Sequence, residues 1–184
     1  MISEKLKSGT RHLHDLTEEK FNSAKIFEGT FDLNDYRKLL FYNYEMLNSF
    51  ENEVFNFIPA KAADFLNLES RRKLKLAETD MMELGVPLPP ERNLASVKNL
   101  AEAFGIFYVM EGSTLGGNMI AKQLSKSGEF ADAPFHYFRC YGSHTGSYWK
   151  TFKEVLDREI KLEYEDACLR GAEKAYGFLL NLPD

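Results

Sequence analysis

The N-terminal segment places His14 at helical spacing from Lys7 and Arg11. Side chains three, four or seven positions apart project from nearly the same side of a helix. A neutral imidazole binds iron through one nitrogen, while Lys and Arg side chains attract carboxylates. This pattern therefore favours a site for an anionic metal complex that carries carboxylates. The alternative is a surface of mixed charge whose histidine binds nothing.

The nearby His12 competes with His14 for this role. The two side chains project about 160° apart at ~100° per helical residue, so one ligand cannot use both. Other chemistry finds less support, because no Glu-x-x-His, H-E-x-x-H or G-x-S-x-G pattern occurs. Cys140 and Cys168 lack C-x-x-C spacing, so we expect packed side chains rather than a disulfide, a zinc site or a nucleophile.

A second candidate site is the stretch from Phe104 to Leu124, which its pattern predicts as one helix. Gly112, Gly116 and Gly117 interrupt its middle, although a helical glycine costs about 0.5–1 kcal/mol relative to alanine. The first two share one face, where a flat ligand could lie directly against the main chain, and Ser113 adds a hydroxyl there. The alternative is a tight crossing with another helix.

Helical periodicity elsewhere predicts the elements that position these residues, and no strand-like alternation appears. The sequence therefore predicts an all-α fold with six or more helices in a single domain over residues 1–184. We expect helices from Ser3 to about Glu19, from a cap at Asp32 or Asn34 to Pro59, over Glu69–Leu84, over Phe104–Leu124 with an end near Ser127–Gly128, from a cap at Thr145 through Ile160, and over Leu162–Leu180, with Asn93–Ala103 as first turns of the central helix or a separate helix, and an ordered loop or short helix over Ala131–Gly146.

Composition narrows the classes of function. The chain has 184 residues, 44% hydrophobic composition and a net charge of −5 with interspersed signs, which argues against a nucleic-acid binder. The N-terminus lacks an apolar signal region, and no run approaches the ~18 apolar residues of a membrane span. We therefore expect a soluble, cytoplasmic protein.

Three sequence motifs, LKSGTRHLH, YVMEGSTLGG and YGSHTGSYWKTF, carry a resemblance that spans most of the chain. Together they resemble the heme oxygenase family, specifically its bacterial branch that includes the bacteriophytochrome-associated enzymes. The first is similar to the proximal-helix pattern, whose heme-ligating histidine matches His14. The second is similar to the distal-helix pattern, whose glycines contact the heme and let the helix bend over it. The third resembles a Y-G-x-x-T-G-x-x-W segment of that branch.

The resemblance implies a bundle that holds heme between a proximal N-terminal helix and a glycine-bent distal helix. It implies His14 as the iron ligand, Gly112, Ser113 and Gly116 as the catalytic distal face with Gly117 beside them, and Lys7, Arg11, Tyr108 and Lys150 as contacts of the propionates. This chain departs from the animal-type enzymes at one position. Those enzymes carry an aspartate immediately after the first distal glycine-containing turn, whereas this chain reads Glu111-Gly112-Ser113-Thr114. The proton relay is then built differently, or activity is weakened.

The implied activity is oxidative cleavage of heme, which is both substrate and cofactor, to biliverdin with release of carbon monoxide and iron. Electrons must come from an external donor such as ferredoxin or a reductase, because no nucleotide or flavin fingerprint occurs. A bilin-accepting protein is a candidate further partner. The alternatives are a non-catalytic heme-binding or carrier protein on the same fold and a thiaminase-type enzyme with a cysteine nucleophile.

Overall fold

The computed structural model describes residues 1–89 and 96–183, and within these ranges the regular secondary structure is entirely helical. The all-α class and the expected six or more helices are confirmed. No helix in the described ranges is both long and apolar enough to cross a membrane. The helices are α1 (Ile2–Gly9), α2 (Arg11–Lys20), α3 (Ala24–Glu28), α4 (Leu33–Phe57), α5 (Ala60–Leu66), α6 (Leu74–Glu83), α7 (Leu100–Leu124), α8 (Thr145–Glu159) and α9 (Glu165–Leu180), with 3₁₀ turns at Leu68–Arg71, Gly128–Phe130, Gly142–His144 and Leu162–Tyr164.

The central helix is α7. Residues 103–110 are buried all round, as expected for a helix that is apolar on every side. It begins at Leu100 because the Asn99 side chain accepts a hydrogen bond from the Glu102 backbone N–H at 2.9 Å. Helices α3, α4, α8 and α9 pack against α7, and α9 also packs against α2. The N-terminal helices are thus tied to the central helix through α9.

Glycines allow the close crossing of α7 and α9. A methyl group at Gly105 would overlap the backbone carbonyl of Cys168, and one at Gly171 would overlap the carbonyl of Glu102. Because these obstacles are backbone atoms, a side chain at either position would push the helices apart. The tight helix crossing considered for the central glycines therefore belongs to a different pair.

The single N-terminal helix predicted from Ser3 to about Glu19 is wrong, because α1 ends at Gly9 and α2 begins at Arg11. The Thr10 hydroxyl donates to the Leu6 carbonyl at 2.8 Å, a bond that bends helices. A Cβ at Gly9 would lie 2.9 Å from Leu169 of α9, so the bend lies against that helix. Lys7 and His14 consequently lie on two helices joined at a bend.

The predicted second helix is confirmed, with Asp32 and Asp35 forming a capping box at the start of α4. The helices predicted from Glu69 and from Leu162 begin later, at Leu74 and at Glu165, because 3₁₀ turns precede α6 and α9. Thr145 is the first residue of α8 rather than its cap. The short helices α3 and α5 were missed, since five and seven residues give little periodicity.

The central helix ends at Leu124, before the predicted Ser127–Gly128. Of the predicted segment Asn93–Ala103, residues 96–98 are not helical and the last four residues form the first turn of α7. The remainder, residues 93–95, lies outside the described residues. The predicted loop over Ala131–Gly146 is ordered and contains a 3₁₀ turn.

Candidate active site

His14 lies on the exposed side of α2, where 54% of its side chain is accessible. Its Nδ1 atom is 3.8 Å from an oxygen of Asp15 and 3.9 Å from an oxygen of Glu18. Both separations exceed hydrogen-bond length, so the two carboxylates are charged neighbours of the imidazole. They stand beside Nδ1, which makes Nε2 the candidate nitrogen for a metal.

The middle of α7 opens to solvent at Gly116, unlike the fully buried stretch before it. A Cβ built at Gly116 meets no atom within 4 Å. Leu115 is 39% exposed and Met119 is 58% exposed beside it. An exposed apolar strip around an open glycine, on a helix whose first half is buried, is a candidate surface for a flat apolar ligand.

The other two central glycines have different neighbours. A Cβ at Gly112 would make ordinary contact with Trp149 of α8, at 3.8 Å. A Cβ at Gly117 would lie 2.5 Å from the ring of Phe138, and Gly117 is buried. The Cβ direction of Gly117 therefore faces the aromatic segment that follows α7, which supports a packing role for this glycine.

Aromatic side chains connect His14 to the α7 face. The His14 ring is 6.3 Å from the ring of Tyr176 on α9, in an edge-on arrangement. Burial raises the pKa of Tyr176, and Tyr108 of α7 is an electrostatic neighbour of its phenol. The Tyr108 ring lies 5.2 Å from Trp149, which in turn contacts the position of Gly112. The proximal and distal candidates thus border one continuous cluster.

The predicted propionate contacts differ in exposure. Lys7 is exposed, and within the described ranges no ion pair engages it. Arg11 lies 4.0 Å from Asp15 and Lys150 lies 3.9 Å from Glu154, with both cations about four-fifths exposed. Tyr108 is 8% exposed, and burial raises its pKa to about 12. Its phenol is therefore the least accessible of the four.

A buried charge cluster lies directly before Gly112. Glu111 accepts hydrogen bonds from Arg71, from the Lys73 ammonium at 2.5 Å and from the Tyr141 hydroxyl at 2.8 Å. All three charged side chains are about 1% exposed or less. Burial alone would lower the pKa of Lys73, but the adjacent Glu111 carboxylate raises it above its ordinary value. The cluster attaches the segment before α6 to the central helix.

Glu111→Gln should destabilise the protein by about 3–5 kcal/mol, because it leaves Arg71 and Lys73 buried without a counter-charge. Urea unfolding of the apo-protein measures this. The matched control is Glu69→Gln, which removes the exposed partner of Arg72 and should leave the stability nearly unchanged. Equal stability of the two variants would show that the buried cluster is not held by charge pairing.

Ser113 forms a second polar contact on α7. Its hydroxyl lies 3.1 Å from the Tyr137 hydroxyl and 2.9 Å from the Met110 carbonyl. The Tyr137 hydroxyl donates to Asn43 of α4 at 2.9 Å. A buried hydrogen-bonded chain therefore connects α4 to the edge of the open α7 face.

Aromatic contacts connect His14, Tyr108 and Gly112 in the structure, and Ser113 and Gly116 lie on the same helix as Gly112. The structure also adds residues that the sequence reasoning missed. A charged residue inside an apolar helix signals a buried partner, and Glu111 gave that signal. Its partners Arg71 and Lys73 lie 40 and 38 positions away along the chain, so no spacing rule identifies them. Tyr137 stands in an aromatic segment without a period, which gave no signal for its role.

The two cysteines do not suit nucleophilic catalysis. Burial raises the pKa of the Cys140 thiol to about 11 and that of Cys168 to about 12. Since the thiolate is the reactive form, both remain protonated and unreactive near neutral pH. A cysteine-dependent enzyme is accordingly disfavoured.

The fold and the candidate site together define an all-helical protein with an open, glycine-containing helix face, and comparisons with known proteins identify the family. The heme oxygenase from Neisseria meningitidis, solved in NO-bound and CO-bound forms, has the same fold, with a TM-score of 0.75 over 97% of this chain and 88% of that chain at 22% identity. A heme oxygenase from Xanthomonas campestris pv. campestris is 25% identical over 138 residues, which are 73% of this chain and 79% of the relative.

The heme oxygenase family model matches residues 1–182. The chain belongs to the heme oxygenase family, and it is a heme-binding, heme-degrading enzyme. Family membership does not favour the carrier and thiaminase-type alternatives.

Proposed function

We propose that this heme oxygenase holds its substrate between α2 and α7, with iron bound to Nε2 of His14 and the backbone at Gly112 and Gly116 against the other face of the ring. The observation that carries this proposal is the open apolar surface at Gly116. Gly105 and Gly171 already account for the close helix crossing. The central glycines therefore need another reason, and a flat ligand supplies one.

The residues present fit a heme. On α7, Leu115 and Met119 form an exposed apolar surface beside Gly116. A porphyrin ring buries such surfaces, while its carboxylates stay at the rim. Lys7 and Arg11 are exposed cations on the N-terminal helices, and charge-assisted hydrogen bonds to carboxylates are among the stronger polar contacts.

Bound heme supplies the redox chemistry that activates dioxygen for cleavage of its own ring to biliverdin, carbon monoxide and iron. His14 would hold the iron, with the carboxylates of Asp15 and Glu18 within 4 Å of its Nδ1. The side-chain-free backbone at Gly116 would leave room for dioxygen beside the bound ring. Ser113 provides the polar group at that edge.

The electrons come from an external donor such as ferredoxin or a reductase, because the sequence carries no nucleotide or flavin fingerprint. A bilin-accepting protein downstream would take the product. Both partners are part of this proposal.

The test is aerobic turnover of the purified protein with stoichiometric hemin and a reductant such as ascorbate. We expect a histidine-ligated spectrum at one hemin per chain, then loss of the heme bands with formation of biliverdin. A stable hemin complex that survives reductant and dioxygen unchanged would instead indicate a carrier.

Lys7→Glu should weaken hemin affinity about 10- to 100-fold or change the biliverdin isomer, while the iron ligand stays in place. A charge-assisted propionate contact at the pocket rim is worth about 1.5–3 kcal/mol, and the reversal replaces attraction by repulsion. Hemin titration and chromatography of the product measure both effects. Lys61→Glu, at an exposed lysine of α5, is the matched control; if the two variants behave alike, Lys7 does not contact the substrate.

A further inference from the structure

The hydroxyl groups of Ser113 and Tyr137 and the amide of Asn43 form a chain with a defined direction. The Asn43 amide nitrogen donates to the Leu39 carbonyl at 2.8 Å. A carbonyl only accepts, so this bond fixes the amide with Oδ1 toward Tyr137. Oδ1 also only accepts, so the single Tyr137 proton goes to Asn43.

The Ser113 hydroxyl is therefore left with two acceptors on the protein side. The Tyr137 oxygen has already given its proton to Asn43, and the other neighbour is the Met110 carbonyl. The Ser113 proton points inward in either case. What Ser113 presents outward is an oxygen lone pair, which accepts a hydrogen bond.

Tyr137 is held rigidly enough to enforce this direction. It is 2% exposed, and its backbone N–H donates to Asp80 at 2.8 Å, while the N–H of His136 donates to the other oxygen of the same carboxylate at 2.9 Å. Burial raises the pKa of Tyr137, so the phenol keeps its proton. The groups Lys73, Glu111 and Cys140 are its other electrostatic neighbours.

Ser113 also lies beside the glycine that faces the substrate in the proposed complex. It is half-buried and lies three positions before Gly116, so the two are neighbours on the helix surface. The hydroxyl stands between the buried Tyr137 and the open α7 face. In this position the Ser113 proton points toward the protein interior, and a lone pair of the same oxygen points toward the open α7 face.

We propose that Tyr137, anchored by Asn43, is a positioning residue that turns the Ser113 proton away from the substrate, so that Ser113 acts as a hydrogen-bond acceptor on the distal side. The inference rests on the proposed placement of the substrate against Gly112 and Gly116. A water molecule that donates one proton to Ser113 keeps its second proton for the reacting side. The hydrogen bonds from Ser113 to Tyr137 and from Tyr137 to Asn43 thus determine which proton of the water faces the reacting atoms.

The test is the acid–alkaline transition of the ferric hemin complex, followed in the visible spectrum. An acceptor near the iron favours the water form and a donor favours the hydroxide form. Ser113→Ala should therefore lower the transition midpoint by about 0.5 pH unit or more. A rise of the midpoint in Ser113→Ala would mean that Ser113 donates outward, and it would overturn the proposal.

Tyr137→Phe should lower the midpoint as well. Without the Tyr137 oxygen, the Met110 carbonyl is the one remaining inward acceptor, so the Ser113 hydroxyl is freer to turn its proton toward the substrate. Asn43→Leu should do the same, because the Tyr137 proton then turns to Ser113 and occupies a lone pair. Either variant combined with Ser113→Ala should match Ser113→Ala alone. Additive effects in the double variants, or an unchanged midpoint in both single variants, would show that Tyr137 does not act through Ser113.

Tyr148→Phe is the control, because it removes a hydroxyl that contacts Ser70 at the surface and should leave the midpoint unchanged. Melting of each apo-variant checks its folding, and Asn43→Leu provides the test if Tyr137→Phe does not fold. The wild-type spectrum tests the placement of the substrate separately from the role of Tyr137. Absence of a histidine-ligated hemin complex overturns the placement of the substrate, whereas a normal complex with unmoved midpoints overturns only the role of Tyr137.

Discussion

His14→Ala is expected to abolish the histidine-ligated spectrum of the hemin complex and to reduce heme cleavage to the background rate. The substitution removes the proposed iron ligand, the imidazole whose Nδ1 lies beside Asp15 and Glu18. The apo-protein should melt at nearly the wild-type temperature, because the His14 side chain is about half exposed. Spectra of the ferric complex and the rate of biliverdin formation measure both parts.

His12→Ala is the matched control, since His12 is an exposed imidazole on the same helix. It should retain the ligand spectrum and turnover. If His12→Ala alone removed the ligand signal, the orientation assigned to α2 would be incorrect. Imidazole added to His14→Ala gives a further check, because a free ligand can restore the spectrum where the pocket itself is intact.

Gly116→Ala and Gly105→Ala should have opposite effects. A methyl group at Gly116 meets no protein atom within 4 Å, so apo-protein stability should be unchanged or slightly higher. In the proposed complex the methyl group would project into the space that dioxygen needs, so turnover should fall while hemin still binds. At Gly105 the same methyl overlaps the backbone of Cys168, and stability should fall by about 3 kcal/mol or more.

Gly117→Ala lies between these two, because its obstacle is the Phe138 ring rather than backbone; we expect a loss of about 1–3 kcal/mol. Thermal melting of the three apo-variants, followed by turnover per folded molecule, separates substrate contact from packing. A destabilised Gly116→Ala with normal specific turnover would remove Gly116 from the distal face.

The sequence predicted the helical class and the long elements because strong periodicity and caps lie within single segments. The bend at Thr10 could not be predicted, since it depends on the contact of Gly9 with Leu169, 160 positions away. The role of Gly105 was missed for the same reason. The need for a glycine at this position arises only from the close packing of α9 against α7.

For the site, residue types and spacing pointed to His14 and to Gly112 and Gly116, whose roles stay predictions. The buried partners of Glu111 and Ser113 come from separate segments, and tertiary packing alone brings them together. The sequence therefore pointed to candidate substrate contacts, but not to the buried groups that hold Glu111 and Ser113 in place.

The most direct test of the central claim is a crystal structure of the hemin complex. We expect the iron to be bonded to Nε2 of His14, with the backbone of Gly112 and Gly116 against the opposite face of the ring and Lys7 near a propionate. Iron bonded to His12, or a heme seated in the groove of about 440 Å³ beside Arg37 and Phe41, would contradict it.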